Sequence, residues 1–157
     1  MSGGSLNTSI IMDMSRFMSG TLEVKKVKEF SQKPDIGGRS YAVSGEARVL
    51  PGTFYRNFEK ETLKQGLLMP CYPASKNLCT VGGMVANNGA GEKSLKYGQN
   101  KDFVKSLKVV LDDGEEYEIS EMTKEQLEAK SLEENSLGRI CRKIWNLVKR
   151  NEEELKN

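Results

Sequence analysis

Apolar residues recur along the chain in short rhythms that change period several times, and each change marks an element boundary. Ile10 to Met14 reads as a brief buried strand, and Thr21 to Phe30 alternates Leu22 and Val24 with polar residues as a half-exposed strand does. Lys33-Pro34-Asp35 and Gly37-Gly38 supply a turn, after which Tyr41 and Val43, then Ala47 and Val49, alternate up to Leu50. The two runs predict an antiparallel pair, with Gly45 marking a bulge or tight bend where the phase changes. Pro51-Gly52-Thr53 then opens a helix that places Phe54 and Phe58 on one side, packed on the sheet, and Gly66 closes it.

Beyond residue 102 the rhythm returns. Phe103 to Leu111 is apolar-rich, and Asp113-Gly114 predicts a hairpin into Tyr117-Glu118-Ile119. Thr123-Lys124-Glu125-Gln126 has the form of a capping box. A last helix from Ser136 to Leu155 would place Leu137, Ile140, Cys141, Ile144 and Val148 on one face, with Trp145 and Leu147 at its flanks. Together these predict an α+β fold, a largely antiparallel sheet flanked by helices. Its last face would bury against further protein or self-associate if left bare.

Between these patterned parts lies Pro70 to Asp102, with five glycines and four asparagines in 33 residues. Gly82, Gly83, Gly89, Gly91 and Gly98 allow close approach of the backbone to another group, which suits a surface wrapping a phosphate or a flat heterocycle. A long turn-rich surface loop has the same composition. Embedded Leu78, Val81, Met84, Val85 and Leu95 argue for an ordered segment, because a solvated linker needs none of them.

Pro73-Ala74-Ser75, Cys79-Thr80-Val81-Gly82-Gly83, Ala86-Asn87-Asn88-Gly89 and Tyr97-Gly98, followed by the strand at Val104 to Leu111 and by Asp113-Gly114, occur in the order and spacing of one known family. The chain resembles the flavin-binding (PCMH-type) domain of the vanillyl-alcohol oxidase family of FAD-linked oxidases, in its 2-hydroxyacid dehydrogenase branch. Ile10 to Phe17 is similar to the strand that opens the second subdomain, and Val49-Leu50-Pro51-Gly52 to a strand and turn before a helix. The resemblance covers roughly Ser2 to Ile119 and leaves residues 120–157 as a charged helical region without a diagnostic motif. It implies a partial FAD-binding domain over 1–157, in which Ser2-Gly3-Gly4-Ser5 would lie just after the pyrophosphate loop. That loop and the cap domain, with its catalytic residues, would lie elsewhere.

Carried over residue by residue, the resemblance makes Pro73, Ala74, Ser75, Cys79 and Thr80 line the ring and ribityl end of FAD. Gly82 and Gly83 would let the chain pass against it, and Ala86, Asn87, Asn88 and Gly89 would sit near the ribityl chain and phosphates. Turn formation alone would also explain these asparagines and glycines. Two residues depart from the family pattern: Tyr72 stands where many relatives have an acid, so that a polar contact would be lost or replaced by ring stacking, and Ala90 replaces a frequent serine or glycine. Lys93, Lys96 and Lys101 beside the segment would face phosphate or solvent. Arg139, Arg142, Lys143, Lys149 and Arg150 would form the wet side of the last helix.

Bulk properties narrow the alternatives. The 157 residues suit one domain, and 24 basic against 22 acidic side chains give a net charge of +2, too small to imply a nucleic-acid partner. No apolar run is long enough to span a bilayer and no secretion signal is evident, which makes a cytoplasmic location the default. The three cysteines form no CxxC pair and read as free thiols, while the absence of histidine removes the commonest general base and metal ligand. The expected function is the FAD-binding segment of an oxidoreductase acting on a small 2-hydroxy acid or related alcohol by hydride transfer. Its partner would be the remainder of the flavoenzyme or a partner subunit. Without the pyrophosphate loop the chain alone would bind FAD weakly or not at all and lack catalytic competence. The alternative is a non-catalytic module that uses the last helix for self-association or partner binding.

Overall fold

A computed structural model describes residue 8 and residues 10–33 and 41–155. The turn expected at Pro34-Asp35 and Gly37-Gly38, and the segment Ser2 to Ser5, lie outside the described residues. The chain divides into two compact units, Met1–Phe103 and Val104–Asn157. Both mix helices with a small antiparallel sheet, in keeping with the expected α+β class.

In the first unit, β1 (Thr21–Lys33) and β2 (Tyr41–Val49) pair antiparallel from Thr21↔Val49 to Lys33↔Tyr41. The phase change read at Gly45 is a register shift between Lys26, which faces Gly45, and Ser31, which faces Val43. The additional residues are on β1 rather than beside the glycine. Residues 10–14 form no strand: Ile10 is 93% exposed and Met12 72%, because neither strand of the pair runs alongside them.

Helix α1 (Tyr55–Lys64) follows the Pro51-Gly52-Thr53 turn. Its stop signal works as the sequence implies. Gly66 takes a φ of 68°, donating to Leu63 O at 2.9 Å, while Leu67 N donates to Thr62 O at 3.0 Å, so the last carbonyls of the helix are capped. The buried stripe is shifted by one residue from the expected one. Tyr55 and Phe58 are buried, whereas Phe54 caps the helix and is exposed. These rings enter a core with Tyr72, Val81 and Met84, against which Val49, Met69 and Cys79 pack. The expected packing of Phe54 on the sheet is therefore corrected to packing of Tyr55 on the segment from Met69 to Met84.

In the second unit, β3 (Ser106–Val110) and β4 (Glu116–Ser120) form the expected hairpin. Only Gly114 has positive φ, at 80°, and Gly114 N donates to Leu111 O at 3.0 Å. Asp112 to Gly114 thus make a three-residue loop with glycine at the left-handed position. The helix Lys124–Lys130 starts with both capping-box bonds formed by Thr123 and Gln126. The final helix is interrupted at Asn151 and gives Ser136–Arg150 and Glu152–Leu155. Leu137, Cys141 and Trp145 form its buried stripe, while Ile140 and Ile144 are exposed. The helix at Lys124–Lys130 packs on the helix at Ser136–Arg150 and brings Lys124 over the Trp145 ring, on the buried side of the apolar arc.

Candidate functional site

The glycine- and asparagine-rich segment is not a loop throughout. Thr80 caps a helix, α2 (Val81–Ala86), accepting from Gly83 N at 3.2 Å. The cap followed by Val81, Met84 and Val85 at helical spacing was the signal, and the two glycines masked it. Upstream, residues 73–79 form a tight double turn, with Lys76 N donating to Pro73 O and both Leu78 N and Cys79 N to Ser75 O. Arg56 Nε donates to Asn77 Oδ1 at 2.5 Å and ties this turn to α1.

The start of α2 is locked onto the turn before α1. Val81 N donates to Thr53 O and Gly82 N to Pro51 O, each at 2.8 Å, and Tyr55 N donates to Cys79 O at 3.0 Å. Thr53 is 2% exposed, and its Oγ1 accepts from Gly20 N at 2.8 Å and donates to Gly20 O at 3.1 Å. One buried threonine therefore joins residue 20 to the turn that holds the motif-bearing helix. The amides of Val81, Gly82 and Gly83 are consequently engaged within the chain, leaving the first turn of α2 without an open anion nest.

The candidate residues separate into two sets. Ala74, Ser75, Gly83, Ala86 and Asn87 are exposed, Pro73, Cys79 and Thr80 are half-buried, and together they offer small side chains on two adjoining turns. Gly82, Asn88 and Gly89 do internal work. A Cβ on Gly82 would lie 2.6 Å from Pro51 Cβ, so the missing side chain is explained by packing. Asn88, at φ 44°, donates through Nδ2 to Gln99 Oε1 at 2.8 Å and accepts at Oδ1 from Lys101 N at 3.0 Å. Gly89 is buried, with its carbonyl accepting from Asn100 Nδ2. Gly83 differs: a Cβ there would meet only Thr80 Oγ1, at 3.1 Å. The Gly83 position is itself exposed, as are Ala74, Ser75, Ala86 and Asn87. Thr80 adds a hydroxyl whose lone pair serves Gly83 N, leaving its own proton to donate.

Tyr72 does not present a ring for stacking on a ligand. It is 6% exposed and packs at 5.3 Å on Tyr55, and its hydroxyl donates to Glu92 Oε1 at 3.0 Å. Burial pushes the Cys71 thiol up to about 11, and that thiol donates to Gly98 O at 2.9 Å. Burial also raises the Cys79 and Cys141 thiols. None of the three is a thiolate at neutral pH, and all are free. The described residues contain no cluster of histidine, cysteine and carboxylates arranged for a metal ion.

Residues 104–157 hold a polar groove of their own, edged by Asp113, Glu133, Asn135, Arg139 and Arg142. Its guanidinium groups are engaged, Arg139 with Asp112 and Ser136, and Arg142 with the carbonyls of Ser131 and Glu133. Lys149 lies 4.5 Å over the Trp145 ring, so part of the expected wet side is used in packing.

The family model described as an FAD binding domain matches residues 1–120 of the chain. This chain belongs to that family. Its cofactor is FAD. Relatives are long enzymes. A D-lactate dehydrogenase of Anaerostipes hadrus is 40% identical over 68 residues, covering 43% of this chain and 14% of that protein. A D-2-hydroxyglutarate dehydrogenase of Haemophilus influenzae is 28% identical over 138 residues, covering 85% and 12%. The glycolate oxidase subunit GlcD of Bacillus subtilis is 36% identical over 69 residues, covering 44% and 15%. The FAD binding domain thus spans between 12 and 15% of these relatives' own lengths. No solved structure matches it significantly. No helix of the described residues is long and apolar enough to cross a membrane.

Proposed function

We propose that this chain is the FAD-holding segment, corresponding to the second subdomain of a PCMH-type fold, of a cytoplasmic flavoenzyme that oxidises a 2-hydroxy acid or related alcohol. Family membership over residues 1–120 supports it, as do relatives named as dehydrogenases of D-lactate and D-2-hydroxyglutarate. The observation that carries the site is the exposed position at Gly83, where a Cβ would meet only Thr80 Oγ1, together with the exposure of Ala74, Ser75, Ala86 and Asn87. In this reading Pro73, Ala74, Ser75, Cys79 and Thr80 line the ring side, with Thr80 donating a hydrogen bond. Gly83, Ala86 and Asn87 form the floor, and Gly82, Asn88 and Gly89 hold that floor in shape. When bound, FAD supplies the hydride-accepting chemistry. The chain's own residues bind, orient and exclude water, and the remainder of the flavoenzyme supplies the groups that act on the substrate.

Flavin fluorescence titration of the purified chain tests the site. The expected result is weak, saturable quenching by FAD binding that Gly83→Leu abolishes without unfolding the protein. Unchanged binding in that variant would move the site elsewhere. The activity is tested on the parent flavoenzyme by anaerobic mixing with D-lactate or D-2-hydroxyglutarate. Bleaching of the flavin band is expected, and an unbleached flavin with every 2-hydroxy acid would end the reading. The apolar stripe of Ile140, Ile144 and Leu147 favours a second reading, in which residues 136–150 bind a partner or a second copy. Light scattering that falls to the monomer value in Ile140→Glu/Ile144→Glu would support it.

A further inference from the structure

The turn after Pro73 and the loop before Ser94 bring two ammonium groups to one ring. Lys76 Nζ lies 4.2 Å, and Lys93 Nζ 5.4 Å, from the centre of Tyr72. Like charges do not gather without something to hold them. The ring's negative face attracts each. The Tyr72 oxygen raises the pKa of Lys93. The Glu92 carboxylate stands at the same ring, and its Oε1 accepts from the tyrosine hydroxyl.

Two members of this cluster are anchored through the fold. Tyr72 is a core residue, and Lys76 rides on the turn pinned by Lys76 N to Pro73 O and by Arg56 to Asn77. An anion arriving at the ring would find an ammonium donor from each of two segments already held against Tyr72. The neighbouring first turn of α2 offers no competing nest, because its amides are engaged by Thr53, Pro51 and Thr80.

We propose that Lys76 and Lys93, held on the Tyr72 ring, form an oxyanion-binding site next to the Pro73–Ser75 turn. The oxyanion has two available sources: the carboxylate of a 2-hydroxy acid and the phosphate of the cofactor. On the reading that Pro73 to Ser75 line the ring side, the carboxylate is the natural occupant, because the phosphates lie at the far end of the ribityl chain. The site itself does not depend on that reading, since it is defined by the lysines and the ring.

Amide chemical-shift titration of the full chain without flavin tests it, using D-lactate and inorganic pyrophosphate in separate arms and methyl lactate as the uncharged control. Saturable shifts at Tyr72, Lys76 and Lys93 with at least one anion, none with methyl lactate, and weakening with added salt are expected. Lys76→Met and Lys93→Met should each raise the dissociation constant at least tenfold, and Lys76→Arg, which keeps the charge, should retain most of the binding. D-lactate acting alone assigns the carboxylate, and pyrophosphate acting alone assigns the phosphate. No saturable shift with either anion, or binding that survives in the double methionine variant, overturns the site. Failure of FAD to bind the chain would instead overturn the proposed cofactor surface and leave this result standing.

Discussion

Adjacent glycines at the start of α2 should respond oppositely to the same methyl group. In Gly82→Ala the new Cβ falls 2.6 Å from Pro51 Cβ and 2.8 Å from Pro51 O, about 1 Å inside an ordinary carbon–carbon contact. The proline ring is stiff, and its carbonyl accepts the Gly82 amide at 2.8 Å, so the two cannot separate without losing that bond. Overpacking costs about 1–3 kcal/mol, the bond contributes about 1 kcal/mol, and alanine's helical advantage returns about 1 kcal/mol. A net loss of about 1–3 kcal/mol follows. In Gly83→Ala the methyl meets only Thr80 Oγ1 at 3.1 Å. Its helical gain of about 1 kcal/mol is offset by disturbing a cap contributing about 1 kcal/mol. Thermal unfolding followed by tyrosine near-ultraviolet circular dichroism, which senses Tyr55 and Tyr72, should place the Gly82 variant at least about 4 °C below wild type. The Gly83 variant should stay close to wild type, yet bind FAD more weakly. A Gly82 variant as stable as wild type, or a Gly83 variant as damaged as its neighbour, would refute the assignment of one vacancy to packing and the other to a ligand.

Other expectations concern the second unit and the thiols. Thr123→Ala removes the hydroxyl of the capping box and should cost about 1 kcal/mol, read as an earlier urea midpoint in the fluorescence of Trp145. Leu137→Ala, in the buried stripe, should cost about 2–5 kcal/mol, whereas Ile144→Gln on the exposed side should stay within about 0.5 kcal/mol, by the same assay. The Tyr117 hydroxyl and the Ser136 and Glu115 groups around it hold Asp113 down to about 2, with the Tyr117 hydrogen bond the largest cause. A depressed carboxyl stabilises the fold above its unfolded pKa near 4 and loses that contribution only as pH falls through about 2. Asp113→Asn should therefore bring the Tyr117 phenol, raised by the same bond, back toward its ordinary value in a nuclear magnetic resonance titration. An unmoved Tyr117 titration would show that the bond is not the cause. Thiol labelling should reach Cys79 before the buried Cys71 and Cys141, and a reactive Cys71 would contradict its bond to the Gly98 carbonyl.

Much of the local structure was fixed by information within a few residues. Gly66 as a left-handed stop, Asp113-Gly114 as a hairpin and Thr123 with Gln126 as a capping box each depend on backbone geometry and short-range hydrogen bonds. The order of Pro73-Ala74-Ser75, Thr80-Val81-Gly82-Gly83 and Asn87-Asn88-Gly89 was likewise enough to point to an FAD binding domain. Which apolar face is buried was not local. Tyr55 rather than Phe54 enters the core because the Met69–Met84 segment covers that side of α1, and Trp145 rather than Ile144 is buried because of where a seven-residue helix lies. Ile10 to Met14 had the composition of a strand but no strand beside it.

The roles of the two glycines in the motif show the same division. Sequence alone determined that side chains are missing at both positions, and that a small-residue surface follows Thr80. Tertiary structure decided that Pro51 fills the space beside Gly82 while the space beside Gly83 stays open, and that Lys76 and Lys93 meet at one ring. A residue carries its own size and charge along the chain, but what lies within a few ångströms of it is set by segments tens of residues away.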